Sequence, residues 1–262
     1  MKEATSSTTE LVVDTGAASI RGGRRVNEDG YLILCDTRLS AAGGAGVLLA
    51  VADGLGGHLG GRVASSIAID VLRERFADLN GVSPENALEE WLGLAAERIL
   101  ERAAYDPSCE GMGTTLMSVL LRGRRLGFAH AGDSRLYRLR DRRLDQVTTD
   151  QNLGARMRAE GAYRPEEYER GPLSAALYGY LGKEPLAVQR GSLSLQPGDV
   201  LLLATDGFYD AIHEVELTRL VDRWSDAASF VDEAMNRVRS QDPRDNATVV
   251  ACAIERLPDE DV

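Results

Sequence analysis

Apolar residues in this chain gather in short runs at 11–13, 31–35, 47–52, 115–121, 126–131, 136–139 and 200–205, each bounded by glycine, charge or a turn. Runs of this length and setting predict strands, and a last one falls at 247–254. Two stretches follow a different rule. At 60–79, Val63, Ile67, Val71 and Leu72 recur every three or four residues and predict a helix. A second helix is predicted over 84–105, with Ser83 as N-cap, Pro84 at the first helical position and Trp91, Leu94, Ala95, Ile99 and Leu100 as its buried stripe. Gly123-Arg124 predicts a hairpin, and Pro197-Gly198-Asp199 a turn between a strand around 193–195 and the one at 200–205. Residues 152–160 are weakly helical, and helices near 213–223 and 225–240 precede the last strand. The stretch 161–186 mixes Tyr, Pro, Gly and charge without period and reads as an irregular surface insertion. Strands in runs and helices in pairs predict an α+β fold of stacked antiparallel sheets rather than βαβ alternation. Nothing divides 11–257, which reads as one domain after a Ser/Thr-rich, flexible segment 1–10.

Composition narrows the setting. With 44% hydrophobic and 27% charged residues in 262, the chain has the make-up of an ordinary globular protein. Its 41 acidic and 30 basic residues leave a net charge of −11, which opposes nucleic-acid binding. The longest apolar run, Val47–Ala52, is far short of the roughly 20 residues that span a bilayer, and residues 1–10 hold no apolar signal core. The expected setting is cytoplasmic, with no membrane partner. Three cysteines without a Cys-x-x-Cys pair suit a reducing compartment, and Cys35 and Cys252, inside apolar runs, are expected to be buried structural thiols.

Acidic clusters mark the ends of the apolar runs. Asn27-Glu28-Asp29 precedes a run, Asp53-Gly54, Gly132-Asp133-Ser134-Arg135 and Asp206-Gly207-Phe208-Tyr209-Asp210 follow runs, and Asp245-Asn246 precedes the last. Carboxylates at sheet ends, flanked by small residues, can converge. Unpaired carboxylates forced together repel, and a hard divalent cation relieves them. The pattern points to a metal-centred site for magnesium or manganese. Singly, each cluster is also a common turn sequence.

Order and spacing carry more than any one cluster. Arg24-Arg25-Val26-Asn27-Glu28-Asp29, Asp53-Gly54-Leu55-Gly56-Gly57-His58, Gly113-Thr114-Thr115, Gly132-Asp133-Ser134-Arg135, Pro197-Gly198-Asp199, Asp206-Gly207 and Asp245-Asn246-Ala247-Thr248 follow one another in a sequence that resembles the metal-dependent protein phosphatases, the type 2C serine/threonine family, over about 11–255. The resemblance implies a four-layer α-β-β-α sandwich of two antiparallel sheets flanked by helix pairs, with a two-metal centre at one end. It implies that Asp53 bridges two ions (Mn2+ or Mg2+), that the Gly54 carbonyl is a further ligand, and that Asp206 and Asp245 hold the first ion. Glu28 and Asp29 match the second ion's shell, and Asp133 and Asp210, with Asp206, match a weaker third site. Arg24 matches the arginine that grips the substrate phosphate. The implied activity is hydrolysis of phosphoserine and phosphothreonine in proteins by water activated between the two ions, opposing a serine/threonine kinase in bacterial signalling. Asp53, Asp206 and Arg24 would form the catalytic core.

Departures and alternatives remain open at this stage. Eukaryotic relatives often carry a histidine where this chain has Leu55, so the general acid is unassigned; His58 is nearby, while His130 and His213 read as structural. The insertion 161–186, with Tyr163, Arg164, Tyr168, Arg170, Tyr178 and Tyr180, falls where bacterial-type relatives carry a flap beside the site, and it reads equally as a substrate contact or a self-packed loop. A phosphatase-like scaffold that binds without turnover is the alternative function. A dinucleotide-binding reading of the run 47–52 and the glycines after it fails, because no second strand with a terminal acid follows.

Overall fold

The strands pair into two five-stranded antiparallel sheets whose central members bury both faces, beside a two-stranded ribbon of β4 (Gly54–Leu55) and β5 (Gly113–Thr114) and a short helix α3 (Leu153–Ala159). The structure, a computed structural model, describes residues 11–36, 46–56, 60–77, 82–161 and 173–259. One sheet has the order β1 (Val12–Ile20), β12 (Ala247–Arg256), β11 (Val200–Ala204), β8 (Arg135–Arg140), β9 (Arg143–Gln146). The other runs β10 (Gln189–Ser194), β7 (Arg125–Ala131), β6 (Leu116–Arg122), β3 (Val47–Ala52), β2 (Gly30–Cys35). Val47, Leu49 and Val51 of β3 meet Leu201 and Leu203 of β11 and Val250, Cys252 and Ile254 of β12 in the core between the sheets. The alternate residues Leu48, Ala50 and Ala52 face helices α1 (Gly60–Phe76) and α2 (Pro84–Tyr105). On the other side Leu202, Ala204, Val249 and Ala251 face α5 (Glu214–Val221) and α6 (Ala227–Ser240). Each sheet is therefore covered on both faces, which is why its central strands read as unbroken apolar runs instead of alternating. The architecture is the α+β sandwich of four layers.

Several elements differ from the sequence expectation. β1 is nine residues long where apolar residues suggested three, because Thr15, Gly16 and Ala17 pair with Cys252, Ala251 and Val250 on a strand whose outer face lies under α6. Asp14 ties the two together by accepting the Ala227 N–H at 2.5 Å. The polar edge strand β9 and the single turn α4 (Asp206–Tyr209) carry no apolar period to reveal them. The strand near 193–195 runs earlier, as β10. Ser83 stands at the start of α2, but its hydroxyl makes no cap; its carbonyl accepts the N–H groups of Asn86 and Ala87 instead. Cys252 is buried, whereas Cys35 is exposed at the end of β2 because that edge strand has solvent beside it. The Pro197-Gly198-Asp199 turn is fixed by a half-buried ion pair, the buried Asp199 receiving Arg140 Nε and Nη2 at 2.6 Å each. No helix among the described residues is long and apolar enough to cross a membrane. The segment 1–10, His58, and Tyr163, Arg164, Tyr168 and Arg170 of the insertion lie outside the described residues.

Candidate metal centre

Both sheets end on the same acidic ground. Asp53 follows β3, Asp133 follows β7, Asp206 follows β11 and opens α4, Glu28 and Asp29 lead into β2, and Asp245 leads into β12. The Asp53 main chain is pinned on both sides, its N–H to Thr115 Oγ1 at 2.9 Å and its carbonyl by the Thr115 N–H at 2.8 Å and Thr114 Oγ1 at 2.9 Å. The Gly113-Thr114-Thr115 motif thus holds the strand end that presents Asp53. Gly54 next to it is required by close packing, since a Cβ there would lie 2.3 Å from the Gly61 carbonyl oxygen and 2.7 Å from that of Glu28. Glu28 sits against the same turn, its carbonyl accepting Ser65 Oγ at 2.6 Å.

Asp29 is held by hydroxyls. Its Oδ2 accepts Thr205 Oγ1 at 2.9 Å and Thr248 Oγ1 at 2.5 Å, and Thr205 Oγ1 in turn accepts the Thr248 N–H. Asn246 staples the loops together, accepting the Glu28 N–H at 2.9 Å and donating to the carbonyls of Arg21 and Val26. Asp245 forms an ion pair with Arg24, so the predicted phosphate arginine lies against a predicted ligand at the mouth of the cluster. The Asp53 and Asp206 side chains lie close enough to interact directly.

These groups share one electrostatic field. Burial, then the charges of Asp29, Asp206, Asp133 and Asp245, push Asp53 well above the usual carboxylate range. Burial raises Asp29 to about 7, with the two threonine bonds opposing and Asp206 and Asp245 adding to the rise. Asp206 rises to about 6 through burial and then the charges of Asp245 and Asp210. Asp133 is raised by burial and by Asp206 and Asp150, with relief from an Asn152 hydrogen bond. The structure therefore brings Asp29, Asp53, Asp133, Asp206 and Asp245 together, with Asp210 on the exposed rim and Glu28 against Gly61. Among the described residues no three His, Cys, Asp or Glu side chains close around one point as a finished cage; Asp245 is turned to Arg24 and Asp53 to Asp206.

Three carboxylate oxygens, Glu28 Oε1, Asp29 Oδ1 and Asp206 Oδ1, are buried without a hydrogen-bond partner among the described residues. A buried acceptor left unpaired costs about 1–3 kcal/mol, and more when charged. Hard oxygen donors in this condition fit a magnesium- or manganese-type ion, which binds through carboxylates and carbonyls.

The sequence did not reveal the support behind Asp133. Arg135 does not pair with its neighbour Asp133; it forks onto the buried Asp150, with Nη2 to Oδ2 at 2.7 Å, and donates Nη1 to Tyr137 Oη at 2.8 Å. Its guanidinium stacks 3.7 Å from the Tyr209 ring, and Tyr209 Oη donates to the Asp133 carbonyl at 3.2 Å. Asp150 is 15 residues from Arg135, so no local spacing announces the pair. His130 is buried and pushed down to about 4 by burial, which keeps it neutral and structural. His213 caps α5 and lines the cleft walls. Two clefts open from the cluster, separated by α4. One, of about 500 Å³, passes Asp133, Arg135 and Arg158; the other, of about 480 Å³, passes Asp245, Asp242 and Arg244; Asp206, Asp210 and His213 line both.

Comparison with known proteins places the chain in a family. A family model described as protein phosphatase 2C matches residues 16–257. The serine/threonine protein phosphatase PstP of Mycobacterium tuberculosis is 35% identical over 214 residues, covering 79% of this chain and 40% of that protein. The chain thus spans about two fifths of the length of that relative. Protein phosphatase PhpP of Streptococcus pneumoniae is 28% identical over 232 residues, covering 87% of this chain and 92% of that protein. Among solved structures, the catalytic domain of PstP in complex with two manganese ions superposes with a TM-score of 0.82 at 31% identity, covering 94% of this chain and 100% of that one.

Proposed function

The chain belongs to the protein phosphatase 2C family, and on that premise we propose that it removes phosphate from phosphoserine and phosphothreonine in proteins. The observation that carries this reading is the gathering of five aspartates at one end of the sandwich, with buried carboxylate oxygens that lack any donor among the described residues. Asp53, Asp206 and Asp245 would hold one ion, Asp53 with Glu28 and Asp29 a second, and Asp133, Asp206 and Asp210 a third, with the Gly54 carbonyl as a further ligand and manganese or magnesium as the cation. When bound, such ions acidify water and offset charge on phosphoryl oxygens.

The chain's own residues supply the rest. Thr205 and Thr248 fix the Asp29 carboxylate in one orientation, leaving Oδ1 directed away from both donors. Asn246 sets the distance between the strand that carries Asp245 and the turn that carries Glu28. Arg24, exposed at the mouth and drawn by Asp245, Asp206 and Asp53, is placed to exchange its carboxylate partner for the phosphoryl oxygens of a substrate. The Arg135–Asp150 pair and Tyr209 stiffen the turn behind Asp133. Substrates are phosphorylated proteins, made by a serine/threonine kinase in bacterial signalling, and the setting is cytoplasmic.

Hydrolysis of p-nitrophenyl phosphate and of a phosphothreonine peptide tests this with millimolar manganese and then with chelator. Turnover that chelation abolishes and manganese restores is expected. No turnover of either substrate, with bound manganese demonstrated by calorimetry, would assign the fold to a binding module.

A further inference from the structure

Beside the second cleft, which Arg244 lines, two adjoining loops carry arginines next to the acidic cluster. Loop 21–26 holds Arg21, Arg24 and Arg25, and the loop before β12 holds Arg244; all four are exposed. The two loops are clasped backbone to backbone. Gly22, at a φ of 58°, lies so close that a Cβ would fall 2.0 Å from the Asp245 carbonyl oxygen, and the Gly23 N–H donates to the Pro243 carbonyl at 2.9 Å. Asn246 Nδ2 donates to the Arg21 and Val26 carbonyls at 2.7 and 3.0 Å, so it anchors both ends of the arginine loop. The rim is therefore fixed beside the acidic cluster. Arg24 spends its charge on Asp245. Arg21, Arg25 and Arg244 have no acidic partner at ion-pair distance among the described residues, unlike Arg73, Arg98, Arg135 and Arg140. Of the acids lining that cleft besides Asp206 and Asp245, Glu216 pairs with Arg237 at 3.3 Å, and Asp210 and Asp242 are exposed.

We propose that Arg21, Arg25 and Arg244 recognise a second anionic group, carboxylate or phosphate, that the phosphorylated polypeptide carries beside the phosphate being removed. This rests on the phosphatase reading above. A side chain seated in the cluster leaves its sequence neighbours at the mouth, where these arginines stand. Guanidinium forks pair with carboxylate and phosphate alike. A protein of net charge −11 repels acidic polypeptides at long range, so a local cationic rim is what lets one dock, and in one orientation.

The test uses phosphothreonine peptides that differ only in their flanks: two glutamates, a non-hydrolysable phosphonate, or two alanines. Each is assayed with millimolar manganese on wild type and on an Arg25→Glu/Arg244→Glu variant, with p-nitrophenyl phosphate as the flank-free control. Wild type should favour the anionic peptides in kcat/KM by about 3- to 10-fold, the scale of a few exposed charge pairs. The variant should lose or invert that preference while turning over p-nitrophenyl phosphate within about twofold of wild type, a margin well below the effect of losing a catalytic group. A preference confined to one anionic peptide identifies carboxylate or phosphate as the group that is read. An equal preference ratio in both proteins overturns the rim. The same peptides, fluorescein-labelled and titrated in chelator, report binding by anisotropy without turnover. Discrimination in binding with no hydrolysis of any peptide keeps the rim and sinks the phosphatase reading; hydrolysis without discrimination does the reverse.

Discussion

Replacing Asp29 by asparagine isolates the energetic cost of gathering these carboxylates. Burial and the charges of Asp206 and Asp245 lift Asp29 from 3.8 to about 7, against the pull of its two threonine bonds. Its folded pKa lies above its unfolded one, so the stability it contributes is fully present below about 3.8 and lost as pH rises through about 7. At about 1.4 kcal/mol per pKa unit, the carboxyl destabilises the metal-free protein by about 4 kcal/mol at pH 8. At pH 5 the folded carboxyl keeps its proton, and the cost falls to about 2 kcal/mol. Asparagine carries no charge in either state and retains an oxygen for Thr205 and Thr248. In a chain of this length each kcal/mol moves Tm by about 2–4 °C, so the variant should melt about 10 °C above wild type at pH 8 and about 5 °C above it at pH 5. These are ceilings, because Asp206 and Asp245 ionise more fully once their neighbour is neutral. Circular-dichroism melts in chelator from pH 5 to 8 provide the assay. A variant no more stable than wild type at pH 8, or a gain that does not grow with pH, refutes the reasoning. Millimolar manganese should shrink the difference, since wild type binds with its full carboxylate set and gains more by linkage.

Other expectations follow from the same geometry. Asp53→Asn and Asp206→Ala should each lower phosphopeptide turnover by roughly 10²-fold or more while far-UV circular dichroism is unchanged; near-wild-type rates would remove those residues from the centre. Arg24→Ala should cost about 10- to 100-fold in kcat/KM, the worth of charge-assisted bonds to phosphate, and Arg24→Lys should recover only part of it in steady-state assays. Arg135→Met strands the buried Asp150 and should cost about 3–5 kcal/mol in urea unfolding, whereas Arg135→Met with Asp150→Leu should regain much of that loss.

How much of this was legible in the chain depends on where each signal sits. The central strands β3, β6, β7, β11 and β12 announce themselves because both faces are apolar, and α1 and α2 because one face is. β1 and β9 are hidden because an edge strand can be built from small or polar residues when its partner supplies the apolar surface. The aspartates were visible as clusters at run ends, since a turn that follows a strand concentrates Asp and Gly. Their support was not. Thr205 and Thr248 act on Asp29 across 176 and 219 residues, and Asn246 acts on Glu28 across 218. Such bonds exist only after the sheets are stacked, so no window of sequence contains them. Arg135 shows its type in the sequence but not its partner, because Asp150 lies 15 residues away and meets it only in the folded sheet. Ser83 stands at the N-cap that the sequence marks, with Pro84 after it, and only its hydroxyl is left out, the carbonyl receiving the first helical N–H groups.

Diffraction from crystals grown with manganese, recorded at the manganese absorption edge, tests the central claim most directly. Anomalous peaks in contact with Asp53, Asp206 and Asp245 are the predicted result. Those carboxylates without a peak among them at millimolar manganese, or peaks only elsewhere on the molecule, would contradict it.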